Sequence, residues 1–346
     1  MDLEALHAQV KQAILSLDFD VIWPGFKPLR FALYDHKTCC FDGRYIEKTD
    51  DFCANTSIVY QGEQIAIWMV QQEMEISILA SKIVHEMFHG YQNIMGWDCW
   101  PNELEALYRY EYNAENLSLK LYENKLLLAM LEHFDDSLLK KLLAHRKLRS
   151  TKFPYEFSYE SKVEEIEGTA NYVEWQALKQ LDGNKADELV KQMHARMTEA
   201  EYLFPARISC YDSGALMIDA LRHGQIYSFS ATKRQMIASI LENVAPSDEN
   251  YSDKEVILTE MSDMIRAFHE ETDAIIKTAL EKNDIVLDEP VELTGVNIYD
   301  ARCYKGFITT TYFVMYRTKQ ESKMLQGNYV IHMQDEKTIA AIYRWV

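Results

Sequence analysis

ASKIVHEMFHGYQNIM, residues 80–95, is the most informative segment of the chain. His85 and His89 are four residues apart, so on a helix they share one face, about 6 Å from each other. Two imidazoles in this arrangement can bind one Zn²⁺ ion. Glu86 is offset by one position, about 100° around the helix. It would therefore flank the metal, where it can take a proton from a water molecule that the metal activates.

The residues around these histidines indicate that the helix is buried. Apolar residues lie on both sides of the polar stripe that contains His85 and His89, and a helix that is apolar on both flanks is typical of a protein interior. Buried polar groups cost free energy unless they find partners, and a metal ion is one such partner. The segment therefore predicts a buried metal site rather than an exposed pair of histidines.

A zinc site of this type needs a third protein ligand and one open position. Our best candidate is Glu167, which comes 78 residues after His89 in KVEEIEGTANYVEW, residues 162–175. Apolar residues predict a helix there, and Glu167 borders its packed face, in a stripe made of Glu160, Glu164, Glu167, Asn171 and Glu174. Glycine weakens a helix relative to alanine, so Gly168 indicates a close approach of two helices. The remaining candidates for the third ligand are Glu164, one turn earlier, Glu103, Glu105 and Glu111.

HEMFHGYQ followed at long range by EGTANYVE resembles the gluzincin-type zinc metallopeptidases. The resemblance implies Glu167 as the third zinc ligand. It also implies a zincin-like fold, with an edge strand along the cleft, an active-site helix and a second helix that carries the glutamate. We expect QIAIWMV, residues 64–70, to be that edge strand. The chain lacks the G-x-M-E-N signature of related aminopeptidases, and the short-spaced members do not have its long insertion at 90–160.

Peptide hydrolysis also requires a hydrogen-bond donor for the oxyanion that develops on the carbonyl. The resemblance implies a Tyr or a His for this role, placed after the helix that carries the glutamate. ARISCYDSGALMIDALRHG, residues 206–224, offers Tyr211 and His223, with Arg207 nearby. We predict that Tyr211 or His223 serves as this catalytic donor.

The remaining patterns predict an α+β protein with a small N-terminal β-sheet, a largely helical body and a small C-terminal antiparallel β module. Strand patterns lie at about 29–70, helical patterns at 72–285, and Thr-, Tyr- and Val-rich strand patterns after Pro290. We predict a zincin-like metallopeptidase domain at 1–285 and the β module at 286–346, whose role the sequence does not show. The basic residues between Lys140 and Arg149 are expected to form a solvated helix end.

Composition restricts the partners that we expect. The net charge is −18, which repels nucleic acid and anionic lipid. No apolar run is long enough to span a membrane, and the first residues lack the pattern of a secretory signal, so we expect a cytoplasmic protein. Six cysteines without a C-x-x-C pair predict buried, reduced thiols.

These observations together predict a zinc-dependent hydrolase of peptide bonds, acting on a peptide or protein substrate with Glu86 as general base. Two alternatives remain open at this point. One is a non-catalytic peptide- or partner-binding module on a zincin scaffold, and the other is a metal-dependent amidohydrolase that acts on a non-peptide substrate.

Overall fold

The computed structural model describes residues 2–226, 236–247, 251 and 253–345. Its helices and strands confirm the α+β class, with two β-sheets on either side of a helical body in the chain order. The α-helices are α1 (Leu3–Leu15), α2 (Phe19–Ile22), α3 (Ile76–Ile94), α4 (Glu103–Arg109), α5 (Ala114–Glu132), α6 (Asp136–Lys152), α7 (Pro154–Val163), α8 (Thr169–Leu181), α9 (Gly183–Thr198), α10 (Ala206–His223), α11 (Met236–Ile240) and α12 (Lys254–Lys282). Short 3₁₀ turns cover Ala200–Leu203 and Leu241–Asn243.

Five strands form the N-terminal sheet in the order β3-β2-β1-β5-β4. They are β1 (Phe31–Tyr34), β2 (Cys39–Phe41), β3 (Arg44–Ile46), β4 (Thr56–Tyr60) and β5 (Glu63–Met69), so the prediction of strands at 29–70 is confirmed. The prediction that residues 64–70 are the edge strand is wrong. A two-residue turn at Gln61 and Gly62, both with positive φ, folds β4 back along the outer side of β5, and such turns are typical of tight hairpins. The edge strands of this sheet are therefore β3 and β4, and β4 is the one that lies beside β5.

The helix that carries His85 and His89 is α3, which is buried as the sequence predicts. It packs against β5, α1 and α8, and Val84, Met87 and Phe88 in its middle are fully buried. His85, Glu86 and His89 are each less than a tenth exposed. Three polar side chains are thus held inside the protein, where each needs a partner.

A π-helical segment, Glu164–Gly168, joins α7 to α8, and such segments occur mostly as single turns at functional sites. A Cβ atom on Gly168 would lie 2.5 Å from Cα of Gly214 on α10. The expected close approach of two helices at Gly168 is therefore confirmed. Because the i→i+5 pattern changes the phase of the helix, Glu164 and Glu167 face different neighbours, although a regular helix would place them on one side.

The prediction of a solvated helix end between Lys140 and Arg149 is wrong for two of its residues. Lys140 and Lys141 are exposed, but Arg146 and Arg149 are fully buried. Each buried guanidinium is paired with glutamates, Arg146 with Glu164 and Arg149 with Glu160. These residues belong to a buried ionic cluster, which consists of Lys120, Arg146, Arg149, Glu123, Glu160 and Glu164. The sequence pattern missed this cluster because its acids come from other helices.

Eight strands form the C-terminal sheet, in the order β11-β10-β7-β13-β12-β9-β8 with β6 also paired to β13. They are β6 (Ile285–Leu287), β7 (Val291–Val296), β8 (Arg302–Tyr304), β9 (Phe307–Thr310), β10 (Phe313–Arg317), β11 (Ser322–Gln326), β12 (Asn328–Met333) and β13 (Thr338–Trp345). All pairings in this sheet are antiparallel, as predicted. The long helix α12 packs against both α5 and this sheet, so it joins the helical body to the C-terminal strands.

Two further expectations concern the cysteines and membrane contact. All six cysteines are free thiols, and four of them are buried, whereas Cys53 is exposed and Cys303 is half-buried. No helix among the described residues combines the length and the apolar character that crossing a membrane requires.

Candidate metal centre

Three side chains from two distant parts of the chain converge at one point. The Nε2 atoms of His85 and His89 are 3.2 Å apart. Oε2 of Glu167 lies 3.2 Å from Nε2 of His89 and 3.7 Å from Nε2 of His85. Tetrahedral zinc with bonds of about 2.0–2.1 Å needs ligand atoms roughly 3.3 Å apart. The three donor atoms therefore form a triangle of the size that zinc requires, and among the described residues they form the one cluster with metal-binding geometry.

Both histidine rings are held at their other nitrogen. Nδ1 of His89 lies 2.8 Å from Oε1 of Gln92, and the amide of Gln92 donates hydrogen bonds to α8 and the π-helical segment, at Thr169 and Ile166. Nδ1 of His85 lies 3.2 Å from Oε2 of Glu174. Since an amide oxygen only accepts hydrogen bonds, the ring of His89 carries its proton on Nδ1 when it is neutral. Its Nε2 then offers a lone pair, as a metal ligand must. The contact of His85 with Glu174 has an ion-pair distance but not the angles of a hydrogen bond.

The electrostatics of the site favour a cation. Burial by itself lowers the pKa of His85, but Glu167 and Glu174 outweigh it and raise that pKa to about 10. The pKa of His89 is raised for a similar reason, because Glu167 outweighs burial. The pKa of Glu167 is held well below its usual value, since both histidines and Arg207 overcome the effect of burial. Protons and a divalent cation would therefore compete for the same negatively charged pocket.

Glu86 lies in the same cleft but is not one of the three converging ligands. Burial raises its pKa; His85 and His89 oppose the rise, while Glu167 and Glu174 add to it. A carboxylate with raised proton affinity beside a metal site is suited to general base catalysis. This is the position that the one-residue offset from His85 predicts.

Arg207 on α10 connects Glu167 to the rest of the cleft. Its Nη2 atom donates a hydrogen bond of 2.7 Å to Oε1 of Glu167, so only Oε2 faces the histidines. The same Nη2 lies 3.3 Å from the hydroxyl of Tyr211, and Nη1 pairs with Glu103. The Tyr211 hydroxyl lies 3.3 Å from that of Tyr299. Arg207 therefore fixes both the metal-facing oxygen and one phenol.

The cleft that holds these groups has a volume of about 760 Å³. One wall is the start of β4, with Thr56 and Ser57, and the floor is α3 and α8. The opposite wall includes Ile298 and Tyr299, which follow β7 in the C-terminal strands. The segment at 286–346, whose role the sequence did not show, thus supplies part of the cleft.

His223 is not in the cleft, which corrects the prediction that it could serve as the oxyanion donor. It lies twelve residues after Tyr211 on the same helix, about 18 Å further along the axis at 1.5 Å per residue. Its side chain is 59% exposed, and Nδ1 contacts the backbone oxygen of Asp219. Tyr211, in contrast, lines the cleft.

The alternative third ligands have other partners. Glu164 is fully buried and bonded to Lys120, Arg146 and Ser213. Glu103 pairs with Arg207 and accepts a hydrogen bond from Tyr159. Glu105 pairs with Arg109 on the surface. None of these glutamates, nor Glu111, joins the cluster of His85, His89 and Glu167.

Sequence reasoning overlooked several residues that shape the site. Glu174 and Gln92 were visible as members of polar stripes, but their contacts with the histidines depend on how α3 and α8 pack. No sequence pattern distinguishes Tyr299 from the other tyrosines of the chain, of which there are 21 in total, and it lies 88 residues from Tyr211.

Comparison with known proteins adds no assignment, because no family model, curated protein or solved structure matches the chain. What the site can do therefore follows from its own geometry. It offers three ligands for a divalent cation, a carboxylate beside them and two phenol groups across the cleft. That set of groups suits the hydrolysis of a carbonyl compound by water.

Proposed function

We propose that this protein is a zinc-dependent peptidase in which His85, His89 and Glu167 hold the metal and Glu86 is the general base. The observation that carries the proposal is the triangle of donor atoms, with Nδ1 of His89 hydrogen-bonded to Gln92 and Nδ1 of His85 at ion-pair distance from Glu174. Two histidines and a glutamate are a ligand set found in zinc peptidases that keep one position open for catalysis.

We also propose that the N-terminal part has a zincin-like arrangement related to the gluzincins. The support is the order of the elements around the cleft: an edge strand β4, the helix α3 with both histidines, and the π-helical segment before α8 with the glutamate. The backbone on the outer side of an edge strand is free to pair with an extended peptide. Thr56 and Ser57 of β4 line the cleft, so a substrate paired there would pass the metal site.

In the proposed reaction each residue of the site has its own role. Bound zinc supplies Lewis acidity, which lowers the pKa of water and polarises a carbonyl. Glu86 accepts the proton of the attacking water and passes it to the departing amine. Gln92 and Glu174 hold the histidine rings in place, and Arg207 holds Glu167.

Tyr211 and Tyr299 supply the donor for the developing oxyanion. Burial raises the pKa of both phenols, so both keep their protons. Arg207 can only donate, so Tyr211 accepts from it. One of the two phenol protons is used in the hydrogen bond between Tyr211 and Tyr299. The other phenol proton is available to donate a hydrogen bond to the substrate. A donor aimed at the carbonyl oxygen stabilises the transition state.

The test is to compare zinc content and peptidase activity of the wild type, Glu86→Gln and a control, Glu281→Gln, which changes an exposed carboxylate on α12. We expect one zinc per chain in all three, and a loss of about 10²–10⁴-fold in kcat only for Glu86→Gln. Full activity of zinc-loaded Glu86→Gln would refute the base assignment.

The same measurements separate the alternatives. Bound metal without turnover of any peptide in a broad library would favour a non-catalytic binding module. Turnover of acyl amides or esters without turnover of peptides would favour a non-peptide amidohydrolase.

A further inference from the structure

We infer that the substrate is an extended polypeptide that is cleaved at an internal peptide bond. One large apolar side chain of this substrate would occupy a cavity beside the metal cleft. The inference rests on the proposed peptidase function and specifies its substrate. It is carried by two observations: the cleft has a cavity on either side, and its charged groups other than Glu86 are already paired.

The first cavity has a volume of about 470 Å³ and shares Asn55 and Trp68 with the metal cleft. It lies between α1 and the connection from β5 to α3. The wall of this cavity is mixed. Its apolar part consists of Ala5, Leu6, Trp68, Met69, Val70, Met74 and Leu79, and its polar part includes Asp2, Gln9, Gln71, Gln72 and Glu73. Methionine side chains adapt to apolar groups of different shape. The apolar part of the wall can therefore contact a Leu, Met or Phe side chain of a chain that lies along the cleft.

The second cavity, also about 470 Å³, shares Arg207 and Ile298 with the metal cleft. It lies where α4, α10 and α12 meet the C-terminal strands, and its wall is rich in aromatic side chains, including Tyr108, Tyr110 and Tyr159. Together the two cavities leave room for substrate residues on both sides of the metal. An enzyme that removes one terminal residue needs such room on one side only.

The charges around the metal also argue against recognition of a chain terminus. An exopeptidase must bind the free amine or carboxylate of its substrate with an opposite charge. The charged side chains among the described residues of the cleft are Lys82, Glu86, Glu167, Glu174 and Arg207. Lys82 pairs with Glu174, Arg207 pairs with Glu167 and Glu103, and Glu86 is the proposed base. Apart from that of the proposed base Glu86, each of these charges is thus paired before a substrate arrives.

The first experiment uses two decapeptides of one sequence with a central Leu, one with free ends and one acetylated and amidated, and the zinc-loaded protein. We expect internal cleavage in both and kcat/KM values within about threefold of each other. If the free peptide is cleaved and the blocked one is at least a hundredfold slower, the inference is overturned while the proposed function stands. If neither peptide nor any other is cleaved, the proposed function fails and the inference fails with it.

The second experiment measures binding without turnover. Trp68 and Trp100 line the cleft, so titration of the blocked peptide into zinc-loaded Glu86→Gln protein should change the tryptophan fluorescence. Introducing Met74→Glu into the Glu86→Gln protein should weaken binding of the peptide with the central Leu about tenfold. It should strengthen binding of a peptide in which Lys replaces this Leu. Met324→Glu, on exposed β11, is the matched control and should change neither.

Thermal unfolding of each variant identifies a loss of fold. If Met74→Glu does not fold, Met74→Ala decides instead, because it enlarges the cavity and should shift the preference from Leu towards Phe or Trp. An unchanged preference in the folded variant overturns the assignment of this cavity.

Discussion

Glu174 and Gln92 matter at the scale of single residues because each contacts one histidine of the candidate metal centre. A histidine ring that is free to rotate spends part of its time with Nε2 turned away from the metal. The hydrogen bond of His89 Nδ1 with Gln92 and the ion-pair contact of His85 Nδ1 with Glu174 restrict that freedom before a metal arrives. Partners of this kind typically affect metal affinity by about 10–100-fold.

We therefore expect Glu174→Ala to lower zinc affinity by about 10–100-fold, measured by competition with a chromophoric chelator. Glu281→Ala, on the exposed end of α12, is the control. An unchanged affinity in folded Glu174→Ala protein would show that the contact with His85 does not orient the ring.

The two phenols give a second prediction at this scale. We expect Tyr211→Phe and Tyr299→Phe each to lower kcat, by up to about 10²–10³-fold, with little change in KM, because an oxyanion donor acts mainly in the transition state. The increase in activation free energy of the double variant should be smaller than the sum of the increases in the two single variants, since the phenols form one hydrogen-bonded pair. Tyr312→Phe, which changes a 74% exposed tyrosine, should have wild-type kinetics. A larger effect on KM than on kcat would assign the phenols to substrate binding.

At the scale of secondary structure, the π-helical segment Glu164–Gly168 divides one stripe of glutamates into two groups. Glu160 and Glu164 turn towards the buried ionic cluster, whereas Glu167 and Glu174 turn towards the metal cleft. The contact between Gly168 and Gly214 holds the segment against α10.

Gly168→Ala should therefore destabilise the protein, because the new Cβ would lie 2.5 Å from backbone of α10. We expect a loss of about 1–3 kcal/mol in the free energy of unfolding, measured by denaturant titration. Gly183→Ala is the matched control, since a Cβ there meets nothing within 4 Å, and it should be neutral or slightly stabilising. Equal effects of the two substitutions would contradict the tight packing at Gly168.

The buried ionic cluster predicts how stability depends on pH. Burial by itself raises the pKa of Glu160, but the charges of Arg149 and Lys120 outweigh burial and lower that pKa. The pKa of Glu164 is lowered in the same way by Arg146 and Lys120. Groups with a lowered folded-state pKa contribute stability that is present above the unfolded-state value of 4.5 and is lost as pH falls below it. Glu123, whose pKa burial raises, opposes this in part.

We expect the free energy of unfolding to fall between pH 5 and pH 3, measured by urea titration of the metal-free protein. The fall should be smaller in Glu164→Gln, provided that this variant folds; if it does not, Glu160→Gln serves the same purpose. A slope that is identical in the wild type and the folded variant would contradict the prediction.

At the scale of the whole molecule, the candidate metal centre joins parts of the chain that are far apart in sequence. His85 and His89 lie on α3, Glu167 lies on the π-helical segment, and Tyr299 reaches the cleft from the C-terminal strands. A bound ion would therefore stabilise the packing of α3 against α8, because it binds the folded protein and not the separated segments.

Zinc at 100 times its dissociation constant should add about 2.7 kcal/mol to the free energy of unfolding. We expect a chelator to lower Tm of the zinc-loaded protein and added zinc to restore it, in differential scanning calorimetry. His89→Ala should remove this dependence on zinc, whereas His332→Ala, which changes an exposed histidine on β12, should keep it. A zinc-dependent Tm in His89→Ala protein would place the metal elsewhere.

Most of the features that we could predict from the sequence alone follow from the local periodicity of its residues. The spacing of His85, Glu86 and His89, the burial of their helix and the strands at 29–70 all follow from which residues recur every two, three or four positions. The close approach at Gly168 was also accessible, because a glycine inside a helix pattern indicates one. Glu167 was a candidate because it borders the apolar face of its own helix. Such patterns are local, so a sequence records them directly.

Contacts between distant segments required the folded arrangement. The burial of Arg146 and Arg149, the exposure of His223, the edge position of β4 and the arrival of Tyr299 in the cleft depend on which elements pack together. A cation looks the same in a sequence whether its partner is water or a glutamate on another helix, and burial makes the difference in free energy. Packing between distant elements therefore decided the charge partners and the cleft walls, whereas the spacing of His85 and His89 on α3 was a local pattern that the sequence shows directly.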